Sequence, residues 1–234
     1  MNQFLKVYKI LMKEYGPQGW WPLLEHKGSN PTASGRITGY HPGDYSLPKD
    51  DHQIFEICVG AILTQNTAWP NVERALLNLR RLGALNPERI LSLEEDKLRS
   101  AIRPAGYFNQ KAKKLRTFSK FFLTLKGRIP LREELLSVWG VGRETADSIL
   151  LYAYRQPIFV VDAYTRRVFS RLNLIMHDWD YDKIRKEFER NLPRNFETYQ
   201  EFHALIVEHA KRFCKKTPEC SGCPLRSLVK DESI

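Results

Sequence analysis

Apolar residues recur at helical spacing along most of this chain and mark out a series of amphipathic segments. In residues 1–15 the apolar positions share one face, which predicts a helix that packs on a core and turns its basic residues outward. Residues 53–66 are apolar on nearly every side and predict a buried helix. With no repeat, low-complexity tract or β-rich region, the sequence predicts an all-α protein. Further helices are expected at 72–82, 91–101, 149–154, 178–191 and 199–211.

A long loop and an aromatic pair separate the first two predicted helices. Lys27–Asp51 is rich in Gly, Ser, Pro and Asp and shows no periodicity, which predicts a surface loop. Trp20 and Trp21 lie just before it. Adjacent side chains cannot face the same way on regular structure, so we expect one indole to pack in the core and the other to face a cavity. The alternative is that both pack a helix–loop junction.

The sequence Gly140-Val141-Gly142 predicts a tight hairpin between two helices. Helix-forming residues precede it, its glycines permit a turn that is partly at positive φ, and a helix resumes at Arg143 or Glu144. Outward-facing amides at the positive end of a helix form an anion site suited to a nucleic-acid phosphate, and Arg143 adds charge there. A plain helix–helix connection has the same local pattern.

Asp162 follows a short apolar run, Ile158–Val161, that ends where another helix begins. An aspartate at this position is usually an N-cap. Arg166 and Arg167 lie one turn further on.

Charge and length agree with a nucleic-acid partner. The 234 residues fit one large or two closely packed domains, and 37 Lys and Arg against 27 Asp and Glu give a net charge of +10. An ordinary alkaline protein is the alternative. No apolar run approaches the roughly 20 residues of a membrane span and no signal-peptide core is present, so we expect a soluble cytoplasmic protein. Lys111, Lys113, Lys114 and Arg116 are expected to form a basic helix face that lines the duplex backbone. The alternative is a solvated helix face, which is what a run of charges usually is.

The string LLSVWGVGRETA, followed twenty positions after Gly142 by Asp162 in VVDAYTRRV, resembles the helix-hairpin-helix of the endonuclease III (helix-hairpin-helix-GPD) superfamily of DNA glycosylases. The resemblance implies a two-lobed all-α fold with a DNA-binding cleft between the lobes. One lobe spans 51–156, and the other combines 1–50 with 157–234. It also implies a nucleoid-associated monomer whose partner is double-stranded DNA with a damaged base. The DNA contacts it implies are Gly140, Gly142, Arg143, Thr145 and Lys111.

A second resemblance concerns the base pocket. LTQNTAW resembles the superfamily segment whose glutamine fills the gap left by an extruded base, which gives Gln65 that role. The alternative is that Gln65 and Asn66 cap the helix and bridge a turn. The pattern WWP…LTQNTxW…RPxGxxNQKAK…HxxIVExxK resembles the 3-methyladenine glycosylases of endonuclease III type. It implies stacking and cation–π contacts with a cationic base, about 1–3 kcal/mol each, from Trp20, Trp21 and Trp69.

The resemblance also implies the chemistry. Asp162 would stabilise an oxocarbenium-like sugar and activate water, leaving an abasic site. In bifunctional members a lysine two residues beyond the second hairpin glycine attacks C1′ of the sugar. Here that residue is Glu144, which cannot form an imine, so a monofunctional enzyme is expected.

Two other functions remain open. A glycosylase for oxidised or mismatched neutral bases would need a pocket acid, for which Glu144 or His52 can be considered. A non-catalytic helix-hairpin-helix DNA-binding protein is the other.

Two residues of EFHALIVEHAK have competing interpretations. Relatives of the 3-methyladenine type carry a pocket-wall lysine that can be carbamylated, which the resemblance assigns to Lys211. A solvated lysine paired with Glu208 is the alternative. His203 is expected to be a hydrogen-bonded core residue rather than a catalyst.

Three of the four cysteines, Cys214, Cys220 and Cys223, cluster near the C-terminus, whereas Cys58 lies in a predicted buried helix. Many superfamily members bind a [4Fe–4S] cluster here through C-x6-C-x2-C-x5-C. This chain has one residue fewer in the first interval and Val229 where the fourth cysteine would stand. A cluster, or a Zn²⁺ ion, would need another ligand such as His209. We expect no cofactor requirement for catalysis and no disulfide.

Overall fold

The structure is a computed structural model that describes residues 2–31 and 39–228, and this part of the chain contains eleven α-helices and no β-strand. One isolated β-bridge joins Gly28 to Gly39. The all-α prediction is confirmed. Residues 32–38 of the predicted loop and Val229 lie outside the described residues. The helices are α1 Gln3–Tyr15, α2 Asp51–Leu63, α3 Trp69–Arg81, α4 Pro87–Ser92, α5 Glu95–Ile102, α6 Phe108–Leu125, α7 Arg132–Ser137, α8 Arg143–Ser148, α9 Ala163–Arg171, α10 Tyr181–Asn191 and α11 Phe196–Arg212.

Side-chain caps set several helix starts. Asp50 accepts a hydrogen bond from the Gln53 amide, so α2 begins two residues before the predicted start. It ends at Leu63, earlier than predicted, because the polar residues that follow form a turn in which Asn66 has a φ of 51°. Asn2, Asp180 and Asn195 cap α1, α10 and α11 in the same way.

The prediction of a single helix at 91–101 is wrong, because two helices, α4 and α5, occupy this region with a break between them. Leu93 is extended at the break, with φ −67° and ψ 139°, and its side chain is buried. The guanidinium of Arg116 on α6 donates hydrogen bonds to the carbonyls of Leu91 and Leu93. This contact occupies carbonyls that a continuous helix would use, and it also removes Arg116 from the basic face expected to line DNA.

The helices pack in two groups joined by a π-helical segment. In one group α1 packs on α10 and α11, and α9 packs on α11. In the other, α2 packs on α3 and α6, while α4 and α5 pack on α6. The π-helical segment Ile149–Ala153 continues α8, is buried throughout, and contacts both α2 and α11. Among the described helices, none is both long enough and apolar enough to span a bilayer.

The predicted hairpin joins α7 to α8, and α8 begins at Arg143. Gly140 has a φ of +87°, and a Cβ built there would lie 2.5 Å from the Lys114 side chain, so both the turn and the close approach require glycine. Gly142 is extended and precedes the first turn of α8. The predicted hairpin geometry is therefore confirmed.

Ion pairs tie the hairpin helices to α10. Arg132 on α7 donates two hydrogen bonds to the Asp147 carboxylate on α8, at 2.6 and 3.0 Å, and a third to Asp182 at 2.9 Å. Arg143 lies 3.3 Å from the other oxygen of Asp182. The Asp147 side chain is completely buried. Its charge therefore depends on these partners.

Lys111 occupies a different place from the one expected. It is 2% exposed, and its ammonium donates hydrogen bonds of 2.8 Å to the carbonyls of Leu63 and Ala105 and to the hydroxyl of Thr67. Burial, and then the charge of Lys114, lowers the pKa of Lys111 to about 8. An ammonium enclosed in this way cannot reach a phosphate. Lys111 is thus a brace between α2, the following turn and the 3-10 turn Arg103–Ala105, and its assignment as a DNA contact was wrong.

We expect Lys111→Met to lower the free energy of unfolding by about 2–3 kcal/mol, because it leaves buried acceptors without a donor. Urea titration measures this quantity. Lys120→Met, an exposed position on the same helix, is the matched control and should change it by less than about 0.5 kcal/mol. Equal effects of the two variants would contradict the bracing role.

We expect Asp147→Asn to lower the free energy of unfolding by about 3 kcal/mol, because it leaves the Arg132 charge without its bidentate partner. Glu219→Gln breaks the exposed ion pair with Lys215, whose atoms lie 2.7 Å apart, and should cost less than about 1 kcal/mol. Thermal and urea unfolding of both variants provide the comparison. A loss at Asp147 no larger than at Glu219 would show that the buried pair contributes little.

Candidate active site

A cavity of about 400 Å³ lies where α2, α3, α8, α9 and α11 meet. It brings together most of the side chains predicted for base binding and catalysis. Gly140, Gly142 and Arg143 lie on the hairpin and do not line it, and Lys111 is buried elsewhere. The predicted residues that do line the cavity are Trp20, Trp21, Gln65, Trp69, Glu144, Thr145, Asp162 and Lys211.

Three indoles form one wall. The ring centroid of Trp69 lies 4.5 Å from that of Trp20 and 5.3 Å from that of Trp21. Trp21 and Trp69 are buried and Trp20 is partly exposed. The expected division between an indole in the core and an indole that faces a cavity is only partial, because both members of the pair line the cavity. Gly60 on α2 makes room for Trp21, because a Cβ there would lie 2.9 Å from the indole nitrogen. The wall offers aromatic surface suited to stacking a planar ring.

Asp162 combines the capping role and the cavity position that its sequence context suggested. One carboxylate oxygen accepts a hydrogen bond from the Thr165 amide at 2.6 Å, which caps α9. The other oxygen lies 3.6 Å from Nε2 of His203. Burial raises the pKa of Asp162, but His203 and the Thr165 amide outweigh burial and hold it below the usual value. Asp162 is therefore a carboxylate at neutral pH.

Glu144 and Lys211 carry two further ionisable groups of the cavity lining. Glu144 lies in the first turn of α8 and keeps an exposed outer surface. Desolvation, and then the nearby charge of Asp162, raises its pKa to about 7. Burial lowers the pKa of Lys211, against the opposing charges of Glu208 and Asp162. Two adjacent carboxyl groups are thus pushed in opposite directions, a pattern that separates an ionised from a protonated acid.

Gln65 links the cavity to the hairpin. Its amide nitrogen donates hydrogen bonds to the Gly140 carbonyl at 3.0 Å and to the Thr145 hydroxyl at 2.9 Å, and Lys114 donates to its amide oxygen. The side-chain hydrogen bond back to α2 comes from the Thr64 hydroxyl, which donates to the Gly60 carbonyl. The alternative interpretation, in which Gln65 caps α2, is therefore wrong.

His203 lines the cavity, a position that was not predicted from the sequence. The expected hydrogen bond exists, since Nδ1 lies 2.6 Å from the hydroxyl of Tyr152, and the residue is 8% exposed. It also lines the cavity together with Val207 and Lys211. These three residues are spaced by four along α11, so the assignment of Lys211 to the pocket already implied that His203 faces it. Nothing in the sequence indicated Tyr152.

The cysteines near the C-terminus lie together, but they do not form a complete metal site. Cys214, Cys220 and Cys223 line a separate cavity of about 80 Å³ with His209, whose Nε2 lies 3.7 Å from the Cys223 sulfur. Across residues 2–31 and 39–228, no group of three or more His, Cys, Asp or Glu side chains is arranged to hold a metal ion. A [4Fe–4S] cluster ordinarily takes four thiolates. Three cysteines and one histidine do not fit the four thiolates of such a cluster.

Comparison with known proteins identifies the family. The family model of HhH-GPD superfamily base excision DNA repair proteins matches residues 59–194, more than half of the chain. A Methanocaldococcus jannaschii protein, provisionally named a DNA repair glycosylase, is 47% identical over 95% of this chain and 94% of its own length. Endonuclease III of Bacillus subtilis is 30% identical over 76% of this chain and 81% of its own.

Solved structures agree. The 3-methyladenine DNA glycosylase of H. pylori, bound to 1,N6-ethenoadenine, is 29% identical with a TM-score of 0.67, covering 91% of this chain and 98% of its own. A trapped endonuclease III–DNA covalent intermediate has a TM-score of 0.77 at 19% identity, covering 99% and 97%, and shares the fold. The chain therefore belongs to the HhH-GPD superfamily of base excision DNA repair proteins and is a DNA glycosylase of that superfamily.

Proposed function

We propose that this glycosylase removes alkylated purines, with 3-methyladenine as the principal substrate, by hydrolysis and without a lyase step. The observation that carries the proposal is the wall of Trp20, Trp21 and Trp69 in the same cavity as the ionised Asp162. The H. pylori structure supports it, because a relative named for 3-methyladenine covers most of the chain at 29% identity.

The aromatic wall suits a base that is already cationic. A positively charged 3-methyladenine gains both stacking and cation–π energy from the indoles once it is extruded from the duplex. It is also a good leaving group, so its release needs little help from an acid. The indoles therefore favour a cationic base, and such a base leaves without first being protonated.

Asp162 would then act on the sugar. As the bond to the base breaks, positive charge develops at C1′, and an ionised carboxylate nearby stabilises it. The same carboxylate orients and activates the attacking water, and the product is an abasic site. The lyase reaction of bifunctional relatives needs an amine where this chain has Glu144, which cannot form an imine.

DNA would be held by the hairpin and its neighbours. The backbone at Gly140 and Gly142, with Arg143 and Thr145, would contact the phosphates. Gln65 would leave its contacts with Gly140 and Thr145 to enter the duplex. We propose that the protein acts as a monomer in the cytoplasm, in association with the nucleoid. DNA would lie in the cleft between one lobe, residues 51–156, and a second lobe formed by residues 1–50 and 157–234. Lys211 would complete the pocket wall as the lysine that relatives carry there.

A second candidate function is the removal of neutral bases. Such bases need protonation to leave, and the raised pKa of Glu144, about 7, favours that group as the acid. His52, the other acid considered, lines a different cavity beside α6 and is not available for this role. A purely DNA-binding role leaves an ionised Asp162 in an aromatic cavity without a purpose.

We expect the protein to release 3-methyladenine from methylated DNA and to leave strands intact until alkali is added. Asp162→Asn should bind abasic-site DNA equally well and release base about 10²–10³-fold more slowly, since one charge that stabilises the transition state is lost. Chromatography of released bases and gel analysis of strands measure both. Oligonucleotides with uracil, thymine glycol or a mismatch serve as comparisons. Release from these alone would favour the second candidate, and nicking without alkali would refute the monofunctional mechanism.

We expect Glu144→Lys to gain a Schiff-base intermediate, because it restores an amine beside the sugar. Borohydride should then trap a covalent protein–DNA adduct that the unmodified protein and Glu144→Gln do not form. Denaturing electrophoresis detects this adduct. A trapped adduct with Glu144→Gln would place the nucleophile elsewhere and contradict the role given to this position.

A further inference from the structure

Three polar side chains run from the cavity into the core: Asp162 at the start of α9, His203 on α11 and Tyr152 in the π-helical segment. Nε2 of His203 lies 3.6 Å from a carboxylate oxygen of Asp162, and Nδ1 lies 2.6 Å from the Tyr152 hydroxyl. Tyr152 is 1% exposed and His203 is 8% exposed. The two side chains are therefore shielded from water on the side away from the cavity.

The hydrogens of this chain of contacts can be assigned from the partners. The Tyr152 hydroxyl has one hydrogen and two acceptors in reach, Nδ1 of His203 at 2.6 Å and the Gln200 carbonyl at 3.2 Å. Donation to Nδ1 is the arrangement of a neutral imidazole that avoids a lone pair on Nε2 facing the Asp162 carboxylate, whose oxygen lies 3.6 Å away. A neutral imidazole that accepts at Nδ1 carries its hydrogen on Nε2. That nitrogen has no hydrogen-bond partner in the described part of the chain and faces Asp162.

The gap between Nε2 and the carboxylate is close to a hydrogen bond. Formed N–H···O bonds measure about 2.7–3.2 Å, so a movement of roughly 0.5 Å would close it. Hydrogen bonds of active sites are often long before substrate binds and shorten in the complex. The second oxygen of Asp162 already accepts from the Thr165 amide at 2.6 Å. With both bonds made, the carboxylate could not rotate.

Further contacts hold the residues that lie behind His203 in place. The Gln200 side chain donates a 2.8 Å hydrogen bond to the Leu151 carbonyl, which joins α11 to the π-helical segment. The Tyr152 ring also packs against Trp21, with centroids 5.5 Å apart. The same segment therefore supports both the aromatic wall and the imidazole.

We propose that His203, held by Tyr152, is a positioning residue that donates a hydrogen bond from Nε2 to Asp162 and keeps this carboxylate ionised and aimed at the sugar. The inference rests on the proposed function, because it requires Asp162 to act on C1′. It adds a residue and a physical task that the hydrolytic mechanism alone does not specify.

The pH profile distinguishes this task from a merely structural one. The ionisable groups that face Asp162 are Glu144 on α8, His203 and Lys211 on α11, and Tyr152 in the π-helical segment. Without His203, the Thr165 amide remains to offset the effect of burial on Asp162, but the contribution of the imidazole is lost. The pKa of Asp162 therefore rises. The acid limb of the rate should then move to higher pH. Because Glu144 titrates near pH 7, each profile is also measured in a Glu144→Gln background.

The test compares single-turnover release of 3-methyladenine by variants of the full chain. We expect His203→Leu to be slower by about 10²-fold, with its acid limb at higher pH. His203→Gln keeps an N–H near the position of Nε2 and should recover about tenfold of that loss. Tyr152→Phe should be slower by about tenfold. Tyr199→Phe removes another buried tyrosine hydroxyl, which lies on α11 and has no hydrogen-bond partner among the described residues, and should stay within about twofold.

Two further measurements separate a loss of positioning from other losses: affinity for abasic-site DNA reports DNA binding, and the urea midpoint reports folding. Unchanged affinity with the pattern above supports the inference. It is overturned if His203→Leu and Tyr152→Phe keep the normal rate and acid limb, or if His203→Gln is no better than His203→Leu and the acid limb stays fixed. If His203→Leu does not fold, Tyr152→Phe decides by the same criteria. Failure of the unmodified protein to release any base would instead refute the proposed function, and this inference with it.

Discussion

The structure depends on keeping one carboxylate charged where burial opposes charge. Asp162 lies in a cavity whose other wall is made of indoles, and an ionised acid there is costly unless hydrogen bonds and charges offset the loss of water. The N-terminus of α9 supplies the Thr165 amide, and α11 supplies His203. The N-terminus of α9, the middle of α11 and the π-helical segment between the two packing groups together bring Thr165, His203 and Tyr152 to this carboxylate and its neighbour.

Two side chains, Lys111 and Gln65, join the end of α2 and the turn after it to the neighbouring elements and to the hairpin. Lys111 fixes the end of α2 and the turn after it, which carries Gln65 toward the hairpin. Gln65 then bonds to Gly140 and Thr145. Gln65 therefore joins the hairpin to the mouth of the cavity, where Glu144 and Thr145 lie in the first turn of α8.

Much of this architecture follows from local sequence. Apolar periodicity and capping residues gave the helices, and the hairpin glycines gave the turn, because these signals act over a few residues. The break at Leu93 and the burial of Lys111 depend on partners 23 and 48 residues away, Arg116 in one case and Leu63 in the other. A run of charges cannot reveal that one of its members points inward. The role of Tyr152 depends in the same way on a distant partner, because its contact with His203 joins residues 51 positions apart.

The proposed function requires that the cavity select a base for its positive charge and that Asp162 act on the sugar. The most direct measurement is the single-turnover release of 3-methyladenine compared with its uncharged 3-deaza analogue, placed at the same position of one duplex. The two bases have the same shape, so the account predicts rapid release of the charged base and retention of the neutral one. Equal release of both, or release of neutral bases alone, would contradict it.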